Sequence, residues 1–292
     1  MSQSLILAAG GGLIERRSFL QKGLAFSAVL TPATSWSAPL AAPTVGATPS
    51  MEHMPRWMRQ PGAQDTPYGL PAKAEQHVVK TATLRTPQEA IFNSWHTPLQ
   101  HLRGTITPNG LHFGVHHNGI PAIDPEQHRL MIHGLVNKPV QFDLDQLMRF
   151  PMESRITFLE CSGNTAANAL SPFARDESCQ YLFGQASCTE WTGIPMRLLL
   201  QQAGVKANAN WCVAEGADGG SHTRSIPLSK IMDDAILALF QNGERIRPAQ
   251  GYPMRLLVPG CEGNMNVKWL HRLELSDQAA YSKDESGLYS EV

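Results

Sequence analysis

The chain lacks an excess of charge of either sign. Its 292 residues include 24 Lys and Arg against 25 Asp and Glu, which gives a formal net charge of −1 at pH 7. Proteins that bind nucleic acids or membrane surfaces usually carry a basic face, so this balance favours neither class. Charged residues make up only 17% of the chain, below the usual ~25% of globular proteins.

Long apolar runs and paired cysteine motifs are also missing. No run of about 20 apolar residues follows residue 45, so the sequence predicts no internal membrane span. The five cysteines form neither a Cys-x-x-Cys pair nor a Cys-x-x-Cys-His motif, which disfavours a zinc ribbon and a c-type haem on this chain. An odd number of cysteines leaves at least one thiol unpaired. A bridge between Cys179 and Cys188 is one open alternative, and it would leave Cys161 free.

The residues that are present predict a folded α+β chain. An apolar fraction of 42%, with 24 Gly and 21 Pro, is typical of a globular protein built from short elements and turns. Strands are predicted at 129–134, 154–160, 211–216, 235–241 and 254–260, and a last strand ends at Leu275 after a helical turn at Val267. Short helices are predicted at 142–147, 196–203 and 229–232. Because these elements do not alternate as regular βαβ units, an α+β fold is expected.

The first 42 residues resemble an export signal. Residues 15–22 read ERRSFLQK, and a mildly apolar stretch of small residues follows at 23–30. A twin arginine before such a stretch is typical of the twin-arginine route, with a cleavage zone near residues 35–42. We therefore expect a periplasmic protein that is exported folded, a route often used by cofactor-containing proteins. Residues 43–87 predict an irregular N-terminal extension.

Cys161 stands at the end of a predicted strand and before a Ser-Gly-Asn turn. A thiolate is a soft ligand for metals that accept sulfur, and a glycine nearby permits close approach of a bulky group. A lone cysteine at a strand end is nevertheless more often a small buried residue. The residue alone does not decide between these interpretations.

Five signatures in order decide the matter. They are FLECSGN at 158–164, EWTG at 190–193, AEGADGG at 214–220 with SIPL at 225–228, GYPMRLLVPG at 251–260, and VKWL at 267–270. Together they resemble the sulfite oxidase family of molybdopterin oxidoreductases. HHNGIP at 116–121 and EGNMNVK at 262–268 resemble the sulfane dehydrogenase branch of that family, which belongs to the Sox sulfur-oxidation system.

The resemblance implies a molybdopterin-binding domain over residues 88–275, with mixed β-sheets and short helices, and a molybdenum–molybdopterin cofactor. Cys161 would be the protein ligand of the metal and a catalytic residue. Trp191 would either wall the substrate side of the metal or be a plain core residue. The implied cofactor-binding residues are His116, His117, Asn118, Cys161, Ser162, Gly163, Asn164, Asp218, Ser221, His222, Ser225, Arg255, Asn264, Asn266 and Lys268.

The resemblance also implies oxidation of a sulfur substrate, sulfane sulfur or sulfite, by oxygen-atom transfer from water. With no haem motif on the chain, electrons would pass to a c-type cytochrome. Sulfite oxidases carry arginines after the cysteine turn, whereas this chain has Thr165, Ala166 and Ala167. A less charged or carrier-protein-bound sulfur species is therefore expected as substrate. A sulfite dehydrogenase, a methionine-sulfoxide reductase and a non-catalytic remnant remain alternatives.

Relatives of this family continue into an immunoglobulin-like domain that forms a homodimer. Residues 276–292 resemble the start of the segment that leads to it, so we expect a truncated linker and no dimerisation domain. We also expect a monomeric or aggregation-prone chain, with no nucleic-acid partner and no stable membrane insertion.

Replacing both Arg16 and Arg17 by lysine should trap the protein in the cytoplasm, because the twin-arginine route reads the arginine pair as its address. Cell fractionation followed by immunoblotting measures the effect. Periplasmic accumulation of the double variant at the wild-type level would refute the export signal.

Overall fold

The computed structural model describes residues 55–83, 92–166, 173, 176–287 and 289. The predicted export signal lies outside these residues. The chain divides into the units Met1–Gly69 and Leu70–Val292. Within the first unit, the described residues contain a 3-10 turn at Arg56–Met58 with no buried residue. All other elements belong to the second unit.

The first sheet of the second unit is small and antiparallel. Its order is β1 (Thr81–Thr83), β2 (Asn93–His96) and β3 (Gly114–His116). Alternate residues of a strand share one face, so β3 directs Gly114 and His116 to the same side.

The second sheet carries the strand that ends at Cys161. Its order is β11 (Glu244–Arg245), β10 (Ile236–Gln241), β7 (Ala186–Pro195) and β6 (Glu153–Glu160), and β12 (Arg255–Leu257) also pairs with β10. All of these pairs are antiparallel. Gly193 permits the close approach of β7 and β10, because a Cβ there would stand 2.1 Å from the Leu237 carbonyl oxygen.

The third sheet is mixed. Its order is β5 (Val140–Phe142), β4 (Leu130–Gly134), β13 (Leu270–Ser276), β8 (Trp211–Gly216) and β9 (Thr223–Pro227). The β4–β13 pair is parallel and the others are antiparallel.

The α-helices are short. They are α1 (Leu144–Leu147), α2 (Cys179–Phe183), α3 (Met196–Ala203), α4 (Leu228–Asp233) and α5 (Lys283–Gly287). Asp143 and Gln146 form a capping box at α1, and Gly204 ends α3 with φ +70°. Further 3-10 turns lie at Lys73–Glu75, Leu99–His101, Asn109–Leu111, Pro248–Gln250 and Gly263–Met265. Among the described residues, no helix has the length and apolarity needed to cross a membrane.

The larger of two apolar clusters joins the third sheet to α3 and α4 and to strands β10 and β12. Ile132, Leu199, Leu237 and Leu273 are fully buried members of it. The smaller cluster lies around Trp191, and Cys161 packs at its edge. The apolar cores therefore hold the strands from which the candidate site residues project.

The α+β prediction is confirmed, and most predicted elements occur within one or two residues of their expected bounds. Among the strands of five or more residues, β7 and β9 were not predicted. The helical turn expected at Val267 is wrong: the turn lies earlier, at Gly263–Met265, and a bend at residues 268–269 precedes β13. The Cys179–Cys188 bridge is also wrong, because all five cysteines are free.

Candidate active site

One pocket in the second unit is lined by residues from six parts of the chain. It encloses about 670 Å³ of space, a figure that includes the part open to solvent. Among the predicted site residues it brings together His116, His117, Cys161, Asp218, His222, Arg255, Asn264, Asn266 and Lys268.

Cys161 follows the last residue of β6 and borders the pocket. Its amide donates to the Gln185 carbonyl at 3.0 Å, which continues the β6–β7 pairing by one step. Burial raises the pKa of the Cys161 thiol, while the Gly163 amide, 3.4 Å from the sulfur, opposes that rise. The group therefore stays a thiol until a positive charge stands beside it.

The predicted contacts Ser162, Gly163 and Asn164 do not line the pocket. They form the turn that fixes Cys161: the Asn164 amide donates to the Cys161 carbonyl at 2.9 Å, and the Ser162 hydroxyl accepts from Asn264 Nδ2 at 3.2 Å. Their direct contact with a cofactor stays a prediction.

Arg255 is a fully buried cation on β12. Its Nη1 donates to the Gln250 carbonyl at 3.0 Å and its Nη2 to the Asn266 carbonyl at 2.9 Å. Its guanidinium carbon lies 4.9 Å from the centre of the Trp191 ring, close enough for a cation–π contact. Burial lowers the pKa of Arg255 to about 9. Neutral carbonyls and an aromatic face therefore stabilise this charge, without a carboxylate.

Lys268 is the second cation of the pocket, and it is partly buried. Its Nζ donates to the Val115 carbonyl at 2.9 Å and to His116 Nδ1 at 2.8 Å. Burial and the charge of Arg255 lower the pKa of Lys268 well below its usual value. Burial and Lys268 in turn lower the pKa of His116 to about 2. His116 is therefore a neutral ring whose Nδ1 accepts, which leaves the proton on Nε2.

His117, His222 and Tyr289 form an aromatic wall. The two imidazole rings stack with their centres 5.7 Å apart, and the Tyr289 hydroxyl lies 3.0 Å from His117 Nε2. Burial lowers the pKa of His117, and His222 lowers it further. Asp218 anchors the wall, because its carboxylate accepts from the His222 amide at 2.9 Å.

Three further predicted cofactor contacts, in addition to Ser162, Gly163 and Asn164, lie outside the pocket lining. Asn118 is exposed and packs against Gly220, where a Cβ would stand 1.9 Å from its Nδ2. Ser221 is exposed with φ +49°. Ser225 is buried, but its hydroxyl accepts from the Ala280 amide at 3.1 Å. These residues shape the loops around the pocket.

Trp191 was predicted either to wall the substrate side or to pack in the core. It is fully buried in the smaller apolar cluster and is not among the lining residues. It lies behind Arg255 and meets His112 edge-on, with ring centres 5.7 Å apart. This placement corresponds to the core interpretation and does not match a direct contact with substrate.

Four lining residues with polar side-chain atoms were not predicted from the sequence: His112, Gln250, Trp269 and Tyr289. His112 had a usable signal, since it alternates with Gly114 and His116 at the period of a strand. Gln250 directly precedes one signature and Trp269 lies within another, but neither was singled out as a site residue. Tyr289 gave no signal, because the segment before it was interpreted as a linker.

The segment predicted as a linker contains α5, which packs along β9. Asp284 is buried, and its carboxylate accepts from the Thr223 amide at 2.9 Å and lies 3.6 Å from His222 Nδ1. Glu285 accepts from the Ser225 amide at 2.7 Å. These contacts hold the chain so that Tyr289 reaches the pocket.

The donor set fits an anionic cofactor that also carries hydrogen-bond donors. Within the described part of the chain, neither Arg255 nor Lys268 has a carboxylate at ion-pair distance. His112 Nε2, Arg255 Nε and Asn264 Oδ1 are buried lining atoms with no hydrogen-bond partner among the described residues. Each such atom costs ~1–3 kcal/mol, so their concentration at one pocket indicates a ligand site. A pterin phosphate with a metal at Cys161 meets these requirements.

The pocket brings the Cys161 thiol together with the two cations Arg255 and Lys268, which fits a site for an anionic, metal-containing cofactor. Residues 117–283 match the model of the oxidoreductase molybdopterin binding domain family. Since this match spans more than half of the chain, the chain belongs to that family.

Within the family, the chain is of the sulfite oxidase type and is similar to sulfane dehydrogenase. The solved structure of the sulfane dehydrogenase SoxCD from Paracoccus pantotrophus is 41% identical, with a TM-score of 0.78, over 83% of this chain and 63% of that one. Mitochondrial sulfite oxidase of Mus musculus is 31% identical over 215 residues, which cover 70% of this chain and 39% of the relative.

Nitrate reductases are also among the relatives. The NADPH nitrate reductase of Phytophthora infestans is 34% identical over 200 residues, which cover 64% of this chain and 22% of the relative. The chain thus spans about a fifth to two fifths of the length of these curated relatives.

Replacing Asp284 by alanine should destabilise the chain by ~1–3 kcal/mol, because it leaves the partly buried Thr223 amide without its acceptor and removes the carboxylate that lies 3.6 Å from His222 Nδ1. Urea unfolding of the purified chain measures the change. The exposed Asp277→Ala is the matched control and should change stability by less than ~0.5 kcal/mol. Equal stabilities of the two variants would contradict a structural role for the C-terminal segment.

Proposed function

We propose that the chain is a molybdenum–pterin oxidoreductase that oxidises a sulfur substrate by oxygen-atom transfer from water. The observation that carries the proposal is the Cys161 thiol at the edge of a pocket that also holds Arg255 and Lys268, neither of which has a carboxylate of the described residues at ion-pair distance. The likeness to sulfane dehydrogenase and to sulfite oxidase supports a sulfur substrate.

The cofactor, when bound, supplies a metal that exchanges an oxygen atom and two electrons. Cys161 would hold that metal as a thiolate, since the positive charge of the metal offsets the burial that otherwise keeps the thiol protonated. Arg255 and Lys268 would hold the anionic part of the cofactor. His116 would offer its Nε2 proton as a donor, and Tyr289 forms part of the pocket wall beside His117 and His222.

The neutral turn after Cys161 favours a substrate that is less charged than free sulfite. Thr165 donates its amide to the Leu182 carbonyl at 3.0 Å and does not line the pocket. A sulfane sulfur, free or bound to a carrier protein, is therefore the proposed substrate. Nitrate reductases among the relatives make nitrate the second candidate.

We also propose that the protein works in the periplasm after twin-arginine export and passes its electrons to a c-type cytochrome. The ERRSFLQK motif at residues 15–22 supports export, and the absence of a Cys-x-x-Cys-His motif from the sequence supports an external electron acceptor.

Two measurements on the purified chain test the proposal. Molybdenum and pterin analysis should give about one of each per chain, as expected for a single-site cofactor enzyme. Reduction of cytochrome c should follow the addition of thiosulfate or a persulfide. Turnover with sulfite but not with thiosulfate or a persulfide would identify a sulfite dehydrogenase. Oxidation of a reduced dye by nitrate or by a sulfoxide would identify a nitrate or sulfoxide reductase. A folded chain without molybdenum would be a non-catalytic remnant.

Replacing Cys161 by serine should leave a folded, pterin-containing chain whose turnover falls by more than ~100-fold, because a hydroxyl is a poor substitute for a thiolate on this metal. Steady-state rates per bound pterin measure the effect. Cys179→Ser, at an exposed free cysteine outside the pocket, is the matched control. Near-normal turnover of Cys161→Ser would contradict the assignment of Cys161 as the metal ligand.

A further inference from the structure

His112 is a buried histidine of the pocket wall that neither the signatures nor the proposed reaction uses. It is 1% exposed and lies two residues before Gly114 on the approach to β3. Its ring stacks on Phe113 with centres 5.2 Å apart and meets Trp191 edge-on. Because Phe113 and Trp191 both pack against it, the His112 ring is held in one orientation.

The hydrogen bonding of the ring fixes its tautomer. His112 Nδ1 lies 2.9 Å from the Phe113 carbonyl oxygen, which can only accept, so Nδ1 carries the proton. The same carbonyl oxygen also accepts a hydrogen bond from Gln250 Nε2 at 2.7 Å, so both of its lone pairs are engaged. Nε2 of the neutral ring therefore carries a bare lone pair.

The ring does not become charged under ordinary conditions. Complete burial lowers the pKa of His112 to about 3, and Arg255 and Lys268 nearby lower it as well. Nε2 therefore remains an acceptor and does not turn into a donor. No described residue places a donor within hydrogen-bond distance of it.

We propose that His112 Nε2 accepts a hydrogen bond from an N–H group of the ligand bound in this pocket. For a molybdenum–pterin cofactor, which the proposed function supplies, that group is an N–H of the pterin ring system. Phosphate and oxo oxygens are acceptors, so the lone pair repels them and they go to Arg255 and Lys268. His112 thus selects the orientation of the cofactor by placing an acceptor where the two cations place donors.

Two substitutions separate the acceptor from the packing. His112→Asn keeps a short amide that can donate to the Phe113 carbonyl but has nothing at the position of Nε2. His112→Gln places an amide oxygen near that position. His128→Asn is the matched control, because His128 is also buried, lies outside the pocket lining, and bonds the Leu270 carbonyl through Nε2 at 2.9 Å.

Pterin retention is the first readout, measured by the fluorescence of pterin released by oxidation after timed dialysis. His112→Asn should lose pterin about tenfold faster than wild type, the effect of one buried hydrogen bond. His112→Gln and His128→Asn should stay close to wild type. Equal retention by His112→Asn and wild type would overturn the inference.

Nitrogen-15 NMR of histidine-labelled protein is the second readout and needs no variant. The His112 signals should show a protonated Nδ1 and a bare Nε2 in the cofactor-free chain, and Nε2 should shift towards hydrogen-bonded values on loading. A protonated Nε2, or no shift on loading, would overturn the inference even if His112→Asn fails to fold. Wild-type protein that holds no pterin would instead refute the proposed function on which the inference rests.

Discussion

The burial of two unpaired positive charges is the constraint on which this site depends. Taking a cation out of water costs several kcal/mol unless a partner compensates it. Arg255 is buried and Lys268 is partly buried, and their charges repel each other. Backbone carbonyls and aromatic faces stabilise them in part, and an anionic ligand would supply the remainder. The protein thus keeps a local instability that binding relieves.

Much of the surrounding backbone serves to bring these cations together. Gly251 has φ +112°, and a Cβ there would stand 3.0 Å from Arg255 Cβ and 3.1 Å from Lys268 Cβ, so glycine leaves room for both side chains. Trp269 has φ +53°, a strained conformation for a bulky residue, and its Nε1 donates to the Pro248 carbonyl at 2.9 Å. This turn lets Lys268 point into the pocket while β13 continues into the core.

The sequence allowed the α+β class, the short helices and most of the strands to be predicted, since apolar periodicity and capping residues are local signals. It also located Cys161, Arg255 and Lys268 through their signatures. Strand β7 was not predicted, because its mixture of polar and apolar residues resembles a loop and because it pairs with β6 and β10, which are distant in sequence. The position of Tyr289 and the packing of α5 on β9 were not predicted for the same reason. Their contacts join residues that are about 60 to more than 170 positions apart in the sequence. The core placement of Trp191 depends on its neighbours in space, which no local pattern reveals.

The stabilisation that the cofactor confers on folding tests the role of the buried cations most directly. A ligand that binds only the folded state raises the free energy of unfolding in proportion to the logarithm of its affinity. The free energy of unfolding should be measured with and without bound molybdopterin, for wild type and for Lys268→Met. If binding neutralises the Lys268 charge, the stabilisation by cofactor should be much smaller in the variant, which lacks that charge. Equal stabilisation of both proteins would contradict this role of Lys268.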